Sequence, residues 1–249
     1  MSLTSLRIGG SVARLALDRP QALNALNREM ATELEGALAC LEAARKVKVV
    51  VLSGRGRSFC AGNDIAEMVE LTAAEAETLS RRWQAIMDRF ARLPQVTIAA
   101  VHGHALGGGC MLAVAQDLRL ADRSARFGLP EVTLGFNPSY GIARLLDVMG
   151  GAHARDLLLT GRSIDAAEAQ RMSLVTTVVS DGGFEAAASA LAEQIARSPQ
   201  AGLAATKRIV ASIRAGSSGD EASAYAATLR SDPEARARIA AFVARKRGK

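Results

Sequence analysis

Apolar residues follow two different periods along this chain, and the change of period divides it. In the first half, residues 11–17 alternate weakly, while 46–52 and 96–101 are almost continuously apolar and β-branched, the pattern of strands covered on both faces. A mixed run over 117–121 predicts one more strand. Between these runs Met30, Leu34, Leu38 and Leu41 recur at helical spacing, predicting a helix over 28–45 that Asn27 can cap. Thr72, with Glu75 three residues later, carries the capping-box pattern that opens a helix reaching Arg92, and Pro94 closes it. Residues 108–115 read as a short buried helix. Strands alternating with helices need crossover connections, so an α/β architecture with a largely parallel sheet is expected.

Beyond Pro138 the strand signal nearly vanishes, persisting only over 174–179. Ala-rich helical segments take over at 141–149, 152–159, 184–197, 202–213, 220–230 and 232–246. Many carry an apolar face too wide for an isolated helix, which predicts that something covers them, most simply further copies of the chain. The Ala215-Gly216-Ser217-Ser218-Gly219 stretch reads as a hinge before the last two helices. No internal repeat or low-complexity tract interrupts the pattern.

Composition narrows the picture. With 249 residues, 49% hydrophobic and 22% charged, the chain can bury a sizeable core. No apolar run approaches the roughly 20 residues that span a bilayer, and no leader pattern opens the chain, so a cytoplasmic protein without membrane contact is expected. Cys40, Cys60 and Cys110 lack metal-ligand spacing and are read as reduced, buried thiols; His102, His104 and His153 have no ligand partners at useful spacing, so no metal site is expected. The net charge of +6 would suit either nucleic acid or a small phosphate-bearing molecule. Aromatics are only 4% and do not interleave with the basic residues, which favours the small molecule.

The chemistry concentrates at two glycine-bearing bends. His104-Ala105-Leu106-Gly107-Gly108-Gly109-Cys110-Met111 follows the strand run 96–101; three glycines there strip side chains from backbone amides at the start of a helix. Phe59-Cys60-Ala61-Gly62-Asn63-Asp64 follows the run 47–52 and a loop with Gly54 and Gly56. Two such strand-to-helix turns could each present an N–H and together form an oxyanion hole.

Four segments, in order, resemble the enoyl-CoA hydratase/isomerase (crotonase) superfamily over nearly the whole chain. Asp18-Arg19-Pro20-Gln21-Ala22-Leu23-Asn24-Ala25-Leu26 is similar to its first CoA-contacting turn; the two bends above resemble its oxyanion segments; Phe127-Gly128-Leu129-Pro130-Glu131 with Leu134-Gly135 resembles its acid/base segment. The resemblance implies a crotonase-like fold of repeated ββα units over residues 1–195 and a C-terminal helical region over 196–249 for trimerisation, as a homotrimer or dimer of trimers. It implies that the amides of Asn63 and Gly108 hold a thioester oxygen and that Glu131 is the acid/base. Gln21, Ala22, Leu23, Ala61, Gly62, Asn63, Asp64, Ile65, Gly108 and Pro130 would contact substrate. Arg245, with Lys246 second, would reach a CoA phosphate. No tightly bound cofactor is implied; coenzyme A enters as part of the substrate.

The sequence departs from that pattern at three places. Where the hydratases carry a second glutamate after the glycine run, this chain has Met111. Ser139 stands where the dienoyl-CoA isomerases have a carboxylate, and Ala66 where some relatives place a phosphate-binding lysine. Water addition across a conjugated double bond benefits from two carboxylates, whereas moving a double bond from the 3,4 to the 2,3 position needs one that serves both carbons. Enoyl-CoA isomerisation is therefore the expected reaction, with Glu131 raised toward a useful pKa by Pro130, Val132 and an apolar pocket. Hydration in fatty-acid or related acyl-CoA degradation is the alternative. An RNA-binding or catalytically silent CoA-binding protein is the alternative of another class; the mixed charge of the 28–45 helix speaks against RNA, and the retained Glu131 against silence. Tyr140 is expected either to hydrogen-bond within the pocket or to pack at a helix start.

Overall fold

The computed structural model describes residues 2–180 and 182–247, with the side chains of Lys246 and Arg247 outside that description. Strand β1 (Thr4–Gly9) turns back on β2 (Val12–Leu17) as an antiparallel pair, and helix α1 (Arg28–Ala43) leads to β3 (Val49–Gly54). A short α2 (Ile65–Val69) and a long α3 (Ala73–Arg92) precede β4 (Val96–Val101). Then follow β5 (His104–Leu106), α4 (Gly108–Val114), β6 (Leu118–Asp122), β7 (Arg126–Gly128), α5 (Ile142–Thr160), β8 (Ser163–Asp165), α6 (Ala166–Arg171) and β9 (Thr177–Val179). Helices α7 (Phe184–Ala196), α8 (Gln200–Arg214), α9 (Glu221–Ser231) and α10 (Pro233–Arg247) complete the chain.

The main sheet has the order β1-β2-β3-β4-β6-β9, parallel except for the first pair. Its central strands are buried on both faces, as their apolar runs require. On one face lie α1, α3 and α4, with Leu34, Leu38, Trp83, Phe90 and Leu112 fully covered; on the other, α7 packs Ala188 and Ala192 against Val49, Val51, Ile98 and Leu120. The mixed α/β architecture is as expected.

The expected caps are formed. The Asn27 side chain accepts a hydrogen bond from the Met30 amide, and Thr72 and Glu75 exchange both bonds of the capping box. All four apolar positions predicted for the first helix are buried. The two helices expected over 141–149 and 152–159 are joined as α5 with a break at Gly150, whose φ of 75° is left-handed. Cys40 is exposed, contrary to the expectation of three buried thiols, because it lies off the buried stripe of α1. The expected hinge after α8 is tied instead: Glu221 accepts bonds from Ser212 and Ser217.

A second, three-stranded sheet, β5-β7-β8, is what positions the chemistry. It pairs Leu106 with Gly128, and the Gly107 amide continues the ladder by donating to the Gly128 carbonyl at 2.8 Å. An isolated bridge between Cys60 and Ala105 ties the other bend to the same edge. At its far end α4 is fastened by two buried or half-buried arginines: Arg144 donates to the Ala115 carbonyl and Arg119 to that of Gln116.

Candidate active site

Three loops converge on the start of α4, and each is held by backbone bonds. In the first, the 3-10 turn Pro20–Ala22 is followed by Leu23 and Asn24 at φ of 51° and 57°. The Leu23 carbonyl then accepts from the Ala61 amide, the Leu26 amide donates to Gly62, and Asp64 donates back to Leu26. Asn24, fully buried, fixes this arrangement: its side chain accepts from the Arg19 amide and donates to the carbonyls of Arg55 and Ser58. Asparagine tolerates the left-handed conformation that the turn imposes. Arg19 reaches across to Asp64 at 2.6 Å, and Asp64 caps α2 through the Ala66 amide.

The second loop is the glycine run, and each glycine is excluded from change by a different neighbour. A Cβ placed on Gly107, whose φ is +50°, would lie 2.8 Å from Glu131 Oε1. One on Gly108 would lie 2.3 Å from Tyr140 Oη and 2.4 Å from Asn63 Oδ1, and one on Gly109 would lie 2.3 Å from the Cys60 carbonyl oxygen. On the facing bend, a Cβ on Gly62 would lie 3.6 Å from the Gly108 nitrogen. These clearances bring Asn63, Gly108, Glu131 and Tyr140 around one point. Neither the Asn63 nor the Gly108 amide has a protein acceptor among the described residues, so both donors are free for a ligand.

The third loop brings the acid. Glu131 stands in the first turn of the 3-10 segment Pro130–Leu134, three residues after Gly128 is locked to Gly107. Only 8% exposed, its Oε2 has no hydrogen-bond partner. Burial therefore pushes the carboxyl above the ordinary carboxylate range, against a lesser opposing effect of its own backbone N–H. Val132, expected to help enclose it, points outward at 40% exposure. On the inner side, Glu131 Oε1 lies against Gly107, and the buried Cys110 and Tyr140 are near enough to feel the Glu131 charge.

Tyr140 is the residue whose part the sequence left open. It is 5% exposed, and its hydroxyl donates to Asn63 Oδ1 at 2.5 Å; burial and, to a lesser degree, the nearby Cys60 and Glu131 push the phenol up, so it is a neutral donor. The Cys60 and Cys110 thiols are both pushed up to about 12 by burial, which leaves them protonated and unsuited to attack. Met111 is buried, with its sulfur 3.0 Å from where a Cβ on Gly141 would stand. No cluster able to hold a metal occurs among the described residues.

The remaining expected contact residues divide. Leu23, Ala61, Gly62 and Asp64 form the paired strands of the first bend, and Ala22 is half-buried beside them, whereas Gln21 and Ile65 are exposed. Among the described residues, Arg245 makes no hydrogen bond or ion pair to the site residues. It is exposed on α10, donates to the Ala241 carbonyl of the same helix, and α10 packs on α9. The Lys246 side chain lies outside the described residues.

The family profile "Enoyl-CoA hydratase/isomerase" matches residues 7–244. A probable enoyl-CoA hydratase of Rhizobium meliloti is 46% identical over 191 residues, covering 75% of this chain and 72% of that protein. A short-chain-enoyl-CoA hydratase of Clostridium acetobutylicum is 39% identical over 188 residues, covering 75% of this chain and 72% of its own. Among solved structures, the enoyl-CoA hydratase of Mycobacterium smegmatis superposes with a TM-score of 0.91 at 31% identity, covering 98% of this chain and 96% of that one.

Proposed function

Since this chain belongs to the enoyl-CoA hydratase/isomerase family and is an enzyme of it, we propose that it moves a proton on an enoyl-CoA thioester through an enolate, with Glu131 as the carboxylate that carries the proton. The observation that carries this reading is a single buried acid whose Oε1 lies against Gly107, next to the unengaged amide of Gly108, with Met111 at the position where the family resemblance puts a second acid. The amides of Asn63 and Gly108 would hold the thioester oxygen. As Glu131 takes a proton from C2, the electron pair moves onto that oxygen and the 3,4 double bond extends the conjugation to a dienolate. Returning the same proton to C4 leaves the double bond at the 2,3 position, and every atom is accounted for. Fixed donors aimed at the developing charge lower the barrier by about 3 kcal/mol each. A carboxyl with a raised pKa is matched both to accept the C2 proton and to give it back.

Of the contact residues, Leu23, Ala61, Gly62 and Asp64 would line the thioester's approach, with Ala22 beside them. Arg245, exposed on α10, would serve a phosphate at a neighbouring copy's site in an oligomeric assembly.

Hydration is the second reading, and the names of the relatives favour it over the isomerisation that the sequence leads one to expect. It asks the same oxyanion hole to polarise a 2-enoyl thioester while Glu131 alone activates water and protonates C2. Met111 can neither accept nor donate a proton, which is why isomerisation is placed first. Incubating the purified enzyme with 3-enoyl-CoA and 2-enoyl-CoA thioesters, and reading the products by mass, separates the two. A shifted double bond at unchanged mass supports isomerisation; an 18 Da gain, formed much faster and abolished in Glu131→Gln, makes the enzyme a hydratase.

A further inference from the structure

We propose that Tyr140 is a positioning residue that braces the Asn63 main-chain donor against Gly108, so that the oxyanion hole of this enzyme is tuned by a side chain lying outside it. The inference rests on the thioester reading above but not on which reaction the enolate enters. Asn63 occupies the bend where an amide must point at a developing anion, yet the residue's backbone bonds run on either side of it. Gly62 and Asp64 are paired to Leu26, and the Asn63 amide itself is unpaired. The Leu26 bond to the Gly62 carbonyl orients the planar peptide that carries the Asn63 amide; what it leaves free is the distance of that amide from the facing Gly108, which the Asn63 side chain can brace. The structure gives that side chain one strong tether, the 2.5 Å bond from Tyr140 Oη to Oδ1.

Three features make the tether directional. Tyr140 is 5% exposed, so its ring cannot swing away. Its hydroxyl proton is spent on Asn63, and burial keeps the phenol neutral, so the bond is not exchanged for one to substrate. The two bonded oxygens sit against the bare α-carbon of Gly108, the residue that carries the second amide. Beyond the backbone ties between the two bends, this hydrogen bond braces the spacing between both donors: loosening it lets the Asn63 amide shift relative to Gly108 while leaving the substrate-binding loops tied by their own pairs. The preceding bend is locked independently by Asn24. A positioning role thus predicts a loss in turnover rather than in binding.

The probe is an aryl-conjugated enoyl-CoA thioester whose absorbance moves to longer wavelength when its carbonyl is polarised. Wild-type enzyme is expected to show the red shift. Tyr140→Phe should lose at least half of it, with kcat down about tenfold and KM changed less than about threefold, since a small misplacement of a catalytic donor costs rate steeply. Asn63→Ala should match it, and the double variant should lose no more than either single change. The acidic and basic limbs of the pH profile should stay where they are in Tyr140→Phe, because the phenol passes no proton to substrate. Retention of the full red shift and kcat in Tyr140→Phe overturns the proposal, as does disappearance of a basic limb, which would make Tyr140 an acid. A wild-type enzyme that binds the thioester with no red shift overturns it together with the oxyanion reading. A melting curve for each variant, unchanged within about 3 °C, separates a local effect from loss of the fold.

Discussion

Replacing Glu131 by glutamine should destroy activity and stabilise the protein, and the two effects have one cause. The carboxyl is 8% exposed and one of its oxygens is buried without a partner, so ionising it in the folded chain costs more than in the unfolded chain. Its folded pKa is raised. The sign follows from linkage: the folded state binds this proton more tightly than the unfolded state, so stability falls as pH rises from the ordinary carboxylate value through the folded pKa, and stays lowered above it. A glutamine has the same shape and no charge to desolvate. A buried, unsatisfied polar group costs about 1–3 kcal/mol, and the amide keeps part of that cost, so a net gain of about 1–2 kcal/mol at pH 8 is expected. For a chain of this length that is about 2–8 °C in Tm. The gain should shrink toward zero as the pH is lowered below about 4.5, where both states carry the proton. Thermal melts of both proteins at a series of pH values, alongside turnover of enoyl-CoA, make the measurement. Turnover should fall about 10²- to 10⁴-fold. A variant that melts no higher than wild type at pH 8 would refute the claim that Glu131 is held desolvated, and with it the account of its basicity.

Other expectations follow from the same contacts. Gly108→Ala drives a methyl into Tyr140 Oη and Asn63 Oδ1 and should lower kcat about 10²-fold or more, checked by steady-state kinetics on a variant whose far-ultraviolet spectrum is unchanged. Met111→Glu puts a second carboxylate at a buried position, 1% exposed; the ratio of hydrated to isomerised product, read by mass, should rise about tenfold, while stability falls by about 2–4 kcal/mol. Asn24→Ala leaves the buried Ser58 carbonyl unpaired and the part-buried Arg55 carbonyl without its protein donor, and a urea melt should show a loss of about 1–3 kcal/mol.

How far the residues announced the structure depends on whether their signal was local. Helices α1 and α3 were legible because cap and stripe lie within one segment, and Asn27, Thr72 and Glu75 make the predicted bonds. Strand β1 was not: its positions are half-buried or exposed, so no apolar alternation marks it, and it exists by pairing with β2. Strands β5, β7 and β8 have three residues each, too few to show any period, yet they carry the alignment of Gly107 with Gly128. The glycine run, Asn63 and Glu131 could be picked out as chemistry from the motifs, whereas their convergence is a matter of long-range pairing. Tyr140 lies 77 residues from its partner Asn63, and nothing in the local sequence ties the two. Arg245 was placed at the site by resemblance alone, and in the single chain it is exposed on α10 and bonded within its own helix.

The three glycines before Met111 are kept small by three unrelated neighbours: a carboxylate, a pair of hydrogen-bonded side chains and a main-chain carbonyl. Relief at one position does nothing for the next, so no single second-site change can restore two of them. Drift in this enzyme is thereby channelled. New reactions can arise by exchanging the groups that look onto the platform, while the platform itself has no gradual route to anything else.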